Sequence, residues 1–161
     1  MKPIKKDSRI SLKDTQIGNL TNRITFISKA IQRLTKLQII YFANSPFTYD
    51  NIAVDWEDAN SDYAKQYENE ELSWSNLKDL TDVELYNCPN MTQLPDFLYD
   101  LPELQSLNIA CNRGISAAQL KADWTRLADD EDTGPKIQIF YMGYNNLEEF
   151  PASASLQKMV K

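Results

Sequence analysis

Histidine is absent from the 161 residues of this chain. It is the residue most often used as a general base and as a metal ligand, because its pKa lies near neutrality. Without it, neither a Ser-His-Asp triad nor a Cys-His pair can be assembled within the chain. We therefore expect no catalytic residues, no metal ligands and no cofactor.

Cysteine is scarce as well, because Cys88 and Cys111 are the only two in the sequence. Two cysteines are too few for a fold that is held together by disulfide bonds. Acidic residues are concentrated in two stretches, 57–71 and 129–132, but neither has the alternating spacing of an EF-hand calcium loop. A solvated run of charge is the better interpretation of both stretches.

Long apolar runs and an excess of positive charge are also missing. No stretch approaches the roughly 20 apolar residues that a membrane-spanning helix requires. The formal net charge of −6 disfavours nucleic acid as a partner, because such partners are held by Lys and Arg at their phosphates. The start, MKPIKKDSRI, has the charges of an export signal but no apolar segment after them.

The sequence does contain a recurring spacing of apolar residues. From Leu80, the stretch LTDVELYNCPNMTQLPDFLYDLPEL follows L-x-x-L-x-L-x-x-C-x-x-L-x-x-L-P-x-x-L-x-x-L, and Leu104 begins the pattern again. Further units begin at Leu37 and Ile137, and residues 20–36 match the second half of a unit. Such periodicity is typical of stacked structural units, none of which can bury its apolar face alone.

Each unit begins with the alternation of a β-strand. The first, fourth and sixth positions are apolar, so we expect these side chains to point into the core and those between them to point outward. The ninth position holds a small polar or sulfur-containing residue in all four units: Ser45, Cys88, Asn112 and Asn145.

These motifs resemble the leucine-rich-repeat superfamily over about residues 20 to 160. They are most like the leucine-rich-repeat proteins on the surface of commensal anaerobic bacteria, and the Cys and Leu-Pro positions are similar to repeats of plant resistance proteins. The resemblance implies an α/β fold: a right-handed βα solenoid with a parallel sheet on its concave side and helices or irregular turns on its convex side. It also implies that the ninth side chain turns inward to pair backbone groups, and that the protein is located at the cell surface or secreted.

The domain boundaries follow from the units. Residues 1–19 are interpreted as an N-terminal tail or junction, and residues 20–161 as the leucine-rich-repeat domain, with units beginning near residues 37, 80, 104 and 137. After the last of these units, Val160 resembles the start of another one. We therefore expect the chain to be part of a longer surface protein.

Two of the units are longer and share a second pattern. The segment FTYDNIAVDW, residues 47–56, aligns with ISAAQLKADW, residues 115–124. In each, a Thr or Ser precedes an apolar residue and a Trp that are four positions apart, which is the spacing of one helical face. We therefore predict a helix in both segments, with Trp56 and Trp124 as packing anchors.

The residues between the inward positions are expected to be exposed on the concave face. They occupy the third, fifth, seventh and eighth positions of the four units, and four of them are tyrosines. Tyrosine is enriched in binding interfaces, although it also suits exposed strands. The candidate binding residues on this face are Tyr41, Asp82, Glu84, Tyr86, Asn108, Tyr141 and Tyr144.

The sequence thus predicts a non-enzymatic binding module that uses its concave surface for protein–protein interaction. The identity of the protein ligand does not follow from the sequence, because one fold supports many functions. Two alternatives stay open. One is a carbohydrate-binding surface, in which tyrosines stack on sugar rings, and the other is a structural spacer without a ligand of its own.

Overall fold

Five parallel β-strands form the main sheet. The computed structural model describes residues 9–12, 27–48, 52–54, 71–129 and 137–146. In sheet order the strands are β1 (Arg9–Leu12), β3 (Ile39–Ala43), β5 (Asp82–Tyr86), β6 (Ser106–Asn108) and β7 (Ile139–Tyr141). Every neighbouring pair is parallel. Two short strands, β2 (Ile27–Ser28) and β4 (Ile52–Val54), form a separate parallel pair.

The connections between the strands of the main sheet are crossovers that contain short helical segments. Turns of 3-10 helix span Lys29–Arg33, Trp74–Asn76 and Asp96–Asp100. The α-helix α1 spans Ala117–Asp129 and precedes β7. Parallel strands require such crossovers, because a tight hairpin would reverse the chain direction.

The register of the sheet follows the repeat. Ile39, Asp82, Ser106 and Ile139, the third residues of their units, are aligned across the four strands. Because side chains alternate between the two faces of a strand, this alignment brings equivalent positions of all four units to the same face. A parallel sheet with few helices agrees with the predicted α/β fold.

The core lies against one face of this sheet. Side chains at the first, fourth and sixth positions of the units that begin at Leu37, Leu80 and Leu104 are buried. In the last unit Ile137 is buried, whereas Phe140 and Met142 are partly buried against the core. Each fully buried side chain of this size contributes roughly 1.5–3 kcal/mol, so the stacked units stabilise one another.

The ninth residues Asn112 and Asn145 turn inward and pair backbone groups of adjacent units. The Oδ1 atom of Asn112 accepts from the Cys88 N–H at 2.7 Å, and its Nδ2 donates to the carbonyls of Leu85 at 2.7 Å and Ile109 at 2.9 Å. One unit further on, the Oδ1 atom of Asn145 accepts from the Asn112 N–H at 2.7 Å. A buried peptide group without a partner costs about 1–3 kcal/mol, so this polar column stabilises the turns after the strands.

Strand β1 lies within the segment interpreted as an N-terminal tail or junction. It pairs with β3, and Arg9 is in register with Ile39. The main sheet therefore begins upstream of residue 20, at four residues that the repeat spacing did not include. Their alternation of polar and apolar residues, Arg-Ile-Ser-Leu, is a strand signal, but it is short and no full unit follows it.

The helix predicted in the second of the two long units is present as α1. The Ser116 hydroxyl caps it by accepting from the Gln119 N–H at 3.2 Å, as expected for a residue before the first turn. Leu120 and Trp124 are both buried. The Trp124 ring packs against Phe140, with the two ring centroids 4.6 Å apart, so the tryptophan is a packing anchor.

The prediction of a helix in the first long unit, residues 47–56, is wrong. Ile52–Val54 form β4, which pairs in parallel with Ile27–Ser28 of β2. Two of these three residues are β-branched, which lowers helix propensity and suits a strand. The equivalent residues of α1 are Leu120, Lys121 and Ala122, which are strong helix formers. Trp56, the predicted anchor of this unit, lies outside the described residues.

Candidate functional site

The face of the sheet opposite the core carries the candidate binding residues. We call it the outer face: the third, fifth, seventh and eighth residues of the four units (39, 41, 43, 44; 82, 84, 86, 87; 106, 108, 110, 111; 139, 141, 143, 144). The fifth residues are aligned across the sheet in the order Tyr41, Glu84, Asn108 and Tyr141. Adjacent strands lie about 4.8 Å apart, so four of the predicted residues form one continuous row.

Glu84 is held in this row by both neighbours. The Nδ2 atom of Asn108 donates to its Oε1 at 2.9 Å, and the Tyr41 side chain is hydrogen bonded to the same carboxylate. Partial burial raises the pKa of Tyr41, and the negative charge and hydrogen bond of Glu84 raise it further. The phenol therefore remains a protonated donor at neutral pH, and the row is already ordered within the sheet.

Asp82 lies two residues before Glu84 on the same face of β5. The Oγ1 atom of Thr81 donates to its Oδ2 at 2.6 Å. Its neighbours on the adjacent strands, Ile39 and Ser106, are uncharged. Asp82 and Glu84 are the charged residues among the sixteen positions of the outer face, and neither Lys nor Arg occupies any of them.

A second group of outer-face residues is connected where the strands end. A side-chain hydrogen bond to Cys111 is the main reason that the pKa of Tyr86 is raised, and the proximity of Tyr41 and Tyr144 raises it further. The structure therefore brings three of the predicted tyrosines near one another. Cys111 was not among the predicted binding residues, although its eighth position in the unit places it on this face.

The two cysteines are free, and they lie in different environments. The Cys88 thiol is buried in the core, which raises its pKa to about 11. Its Sγ atom lies 3.9 Å from the Phe42 carbonyl oxygen, and the contact is a weak hydrogen bond. Cys111 is partly buried on the outer face. Because one thiol points into the core and the other belongs to the outer face, they do not approach each other to form a disulfide.

The eighth residue of each unit has a left-handed backbone conformation. The φ angle is 52° at Asn44, 51° at Asn87, 66° at Cys111 and 59° at Tyr144. Asn tolerates this region, whereas Cys and Tyr adopt it at a cost. The Cys111 N–H donates to the Gly143 carbonyl at 2.9 Å, so pairing between units imposes the turn. The repeat spacing alone did not reveal this feature.

The expectation that the whole face is exposed is only partly right. Ala43 is buried, and the outer-face residues of β3, β5 and β6 are otherwise partly buried. In the last unit, Ile139 is 50% exposed, Tyr141 57% and Tyr144 78%. Side chains on an inner strand are flanked on both sides, whereas β7 has one neighbouring strand among the described residues.

The outer face therefore has two parts of different chemistry. The polar centre consists of Asp82, Glu84 and Asn108, which are partly buried and offer two negative charges and an amide. The apolar end consists of Ile139, Tyr141 and Tyr144, which are the large exposed hydrophobic side chains of this face. All seven predicted residues except Tyr41 and Tyr86 belong to one of these two parts.

Within the described ranges, no group of three or more His, Cys, Asp and Glu residues is arranged to hold a metal ion. The same part of the chain contains no helix that is both long and apolar enough to cross a membrane. The described outer face offers hydrogen-bonding groups, tyrosine rings and two carboxylates.

Parallel strands at a recurring spacing, joined by an inward column of polar side chains, define a repeat protein. A solved structure described as a leucine-rich repeat protein from Bacteroides eggerthii DSM 20697 is similar to this chain, with 63% sequence identity and a TM-score of 0.78. The match covers 98% of this chain and 25% of that chain, so this chain spans a quarter of the length of that protein. No model of a protein family matches the chain, and no curated protein matches it.

The chain belongs to the leucine-rich-repeat superfamily. The identity extends over nearly the whole chain, and the strands carry the repeat spacing in register. The resemblance predicted from the sequence is therefore confirmed, including its likeness to bacterial members of the superfamily.

Proposed function

We propose that this chain is a non-enzymatic binding module and that the outer face of its sheet is a protein-interaction surface. In this proposal the units stack as a right-handed solenoid, with the outer face on its concave side. The chain acts as part of a longer protein that is located at the cell surface or secreted. Support for this location comes from the family resemblance, and surface labelling of intact cells with an antibody against the chain tests it.

The observation that carries the proposal is the set of four tyrosines on one face. Tyr141 and Tyr144 are 57% and 78% exposed, so each has ring surface that a partner can cover. Tyrosine rings bury a large area and lose little side-chain entropy on binding, which is why they are frequent in binding hot spots.

The hydrogen bonds within the face also favour binding. Tyr41, Glu84 and Asn108 are already connected in one row, and Tyr86 lies close enough to Cys111 for that thiol to raise its pKa. Side chains that are ordered before association lose less conformational entropy when a partner binds. A partner therefore meets a surface whose centre needs little rearrangement.

A binding screen tests the proposal. The purified chain is screened against arrayed extracellular proteins and glycans beside the variant Tyr41→Ala/Tyr86→Ala/Tyr141→Ala. We expect at least one protein ligand whose binding this variant loses. A matched control, Leu34→Ala/Thr125→Ala, removes exposed side chains outside the sheet and is expected to keep the ligand.

A second variant separates loss of binding from loss of folding. Tyr141→Ala/Tyr144→Ala changes two exposed residues and is expected to unfold with the wild-type midpoint while binding the ligand more weakly. Ligands that bind all variants equally would contradict the outer face as the binding site, and the absence of any ligand would favour a structural spacer. Glycan ligands without protein ligands would instead support a carbohydrate-binding surface.

A further inference from the structure

The polar centre and the apolar end of the outer face lie a defined distance apart. Glu84 on β5 is aligned through Asn108 on β6 with Tyr141 on β7. Two strand spacings of about 4.8 Å each separate Glu84 on β5 from Tyr141 on β7 by roughly 10 Å. A peptide in polyproline II conformation rises about 3.1 Å per residue and has three residues per turn, so side chains three residues apart point to the same side and lie about 9 Å apart.

The charge on this part of the face has one sign. Asp82 and Glu84 are both on β5, and no Lys or Arg occupies an outer-face position of β3, β5, β6 or β7. On β1, Arg9 is in register with Ile39 and is therefore two strands away from Asp82. The charged side chains at the outer-face positions of β5 to β7 are thus all negative, and such groups attract a cationic group and repel an anionic one.

Elsewhere in the protein, a tyrosine ring and a carboxylate together hold an arginine side chain. The Arg126 guanidinium lies 3.6 Å from the centroid of the Tyr99 ring, and its Nη1 donates to the Asp96 carboxylate at 2.6 Å. A tyrosine ring and a carboxylate therefore hold an arginine at a site away from the sheet. Both kinds of group are present on the outer face, where ring faces and carboxylates attract cations by the same forces.

We propose that the outer face binds a segment of a partner protein in polyproline II conformation, in which an Arg or Lys side chain is followed or preceded, three residues away, by a large apolar one. The basic side chain lies over Asp82 and Glu84. The apolar side chain packs on Ile139, Tyr141 and Tyr144, whose exposure of 50%, 57% and 78% leaves ring and methyl surface to cover. This inference names the partner chemistry of the surface described under the proposed function and rests on it.

Short Pro-rich peptides that carry one Arg and one Leu test the proposal, because such peptides adopt polyproline II conformation. The spacing between the two residues is set shorter than, equal to or longer than three, and each peptide has a copy in which Gln replaces Arg. Each is titrated into the isotopically labelled chain and followed by NMR, which detects binding as weak as millimolar. The peptide with the matching spacing is expected to bind tightest and to shift amide signals of β5 and β7, and its Gln copy is expected to bind roughly five- to tenfold more weakly.

Two charge-neutralising variants localise the effect. Asp82→Asn/Glu84→Gln keeps the shape and hydrogen-bonding oxygen of both side chains, and it is expected to remove the preference for Arg over Gln. Asp100→Asn/Glu103→Gln removes two negative charges outside the sheet and is expected to leave the preference unchanged. The proposal would be overturned if the Arg and Gln copies bound equally well, or if no amide signal changed. It would also be overturned if both variants lost the preference for Arg over Gln to the same extent.

The result also distinguishes this inference from the proposed function. A protein ligand from the screen that is lost by the tyrosine variant but kept by Asp82→Asn/Glu84→Gln retains the binding surface and overturns the cationic partner. A neutral glycan that binds the face independently of both carboxylates has the same consequence. Loss of the screened ligand in both the tyrosine variant and Asp82→Asn/Glu84→Gln supports the proposed function and the cationic partner together. Added salt should then weaken binding to the unchanged chain, because salt screens charge pairing.

Discussion

The two long units have nearly the same pattern of residues but form different structures. In one, residues 115–124 contribute to the α-helix Ala117–Asp129; in the other, Ile52–Val54 form a parallel strand with Ile27–Ser28. Both segments have an apolar residue and a tryptophan four positions apart after a Ser or Thr. That spacing is therefore not sufficient to define a helix in this protein.

The difference has a local and a tertiary cause. The β-branched Ile52 and Val54 are poorer helix formers than Leu120 and Ala122, which occupy the equivalent positions. In addition, the segment around Ile27 offers a strand edge to the first long unit, whereas α1 packs its Trp124 on Phe140. Propensity and the available partner favour the same structure in each unit.

The largest expected effect is on the packing of α1. Trp124→Ala should lower the free energy of unfolding by about 3–5 kcal/mol, because it leaves a cavity against the core. The side chain is 1% exposed and its ring centroid lies 4.6 Å from that of Phe140. Chemical denaturation measures the change, and Thr125→Ala at the exposed neighbouring position is the control, with an expected change within about 0.5 kcal/mol. A loss below about 1 kcal/mol for Trp124→Ala would mean that packing does not hold this helix.

A smaller effect is expected at Asp123, which connects α1 to the preceding unit. Its Oδ2 accepts from the Leu94 N–H at 2.9 Å and its Oδ1 from the Gln119 Nε2 at 2.8 Å. Asp123→Ala leaves the buried Leu94 N–H without an acceptor, so we expect a loss of about 1–3 kcal/mol in thermal or chemical unfolding. Asp123→Asn retains an acceptor oxygen and should cost less; if both variants cost the same, the hydrogen bond to Leu94 is not the cause.

The smallest effect is expected from a change of helix propensity alone. Ala122 is exposed on α1 and is equivalent to Val54 of β4. Ala122→Val should lower stability by about 0.6 kcal/mol, and Ala122→Leu by about 0.2 kcal/mol, because valine is restricted in a helix. Circular dichroism at the helical band should be unchanged in both variants, since packing maintains the helix. A clear loss of helical signal in Ala122→Val would show that propensity outweighs packing in this unit.

Most of the repeat could be predicted from spacing because it is a local property. Inward side chains such as Leu85 and Leu107 follow from the alternation of a strand, and both are completely buried. Asn112 and Asn145 could be identified as inward polar residues because they recur at the ninth position. Strand β1 was missed because its four residues precede the first recognisable unit and pair with β3 only in three dimensions.

The candidate site was predictable as a set of residues but not as a surface. Register placed Tyr41, Glu84, Asn108 and Tyr141 in one row, as the equal positions in their units suggest. The proximity of Tyr86 to Cys111 and the exposure of Ile139 depend on which strands flank each side chain. No property of these residues along the chain specifies that environment.

The sequence by itself determined which side chains face the core, which face outward and where a polar residue must turn inward, because strand alternation and the pairing of buried peptide groups act within a unit. Tertiary structure alone decided that Ile52–Val54 pair with Ile27–Ser28, and that the outer face has a partly buried polar centre and an exposed apolar end. Those outcomes depend on neighbours that are distant in sequence, and burial and strand pairing are properties of the assembled sheet.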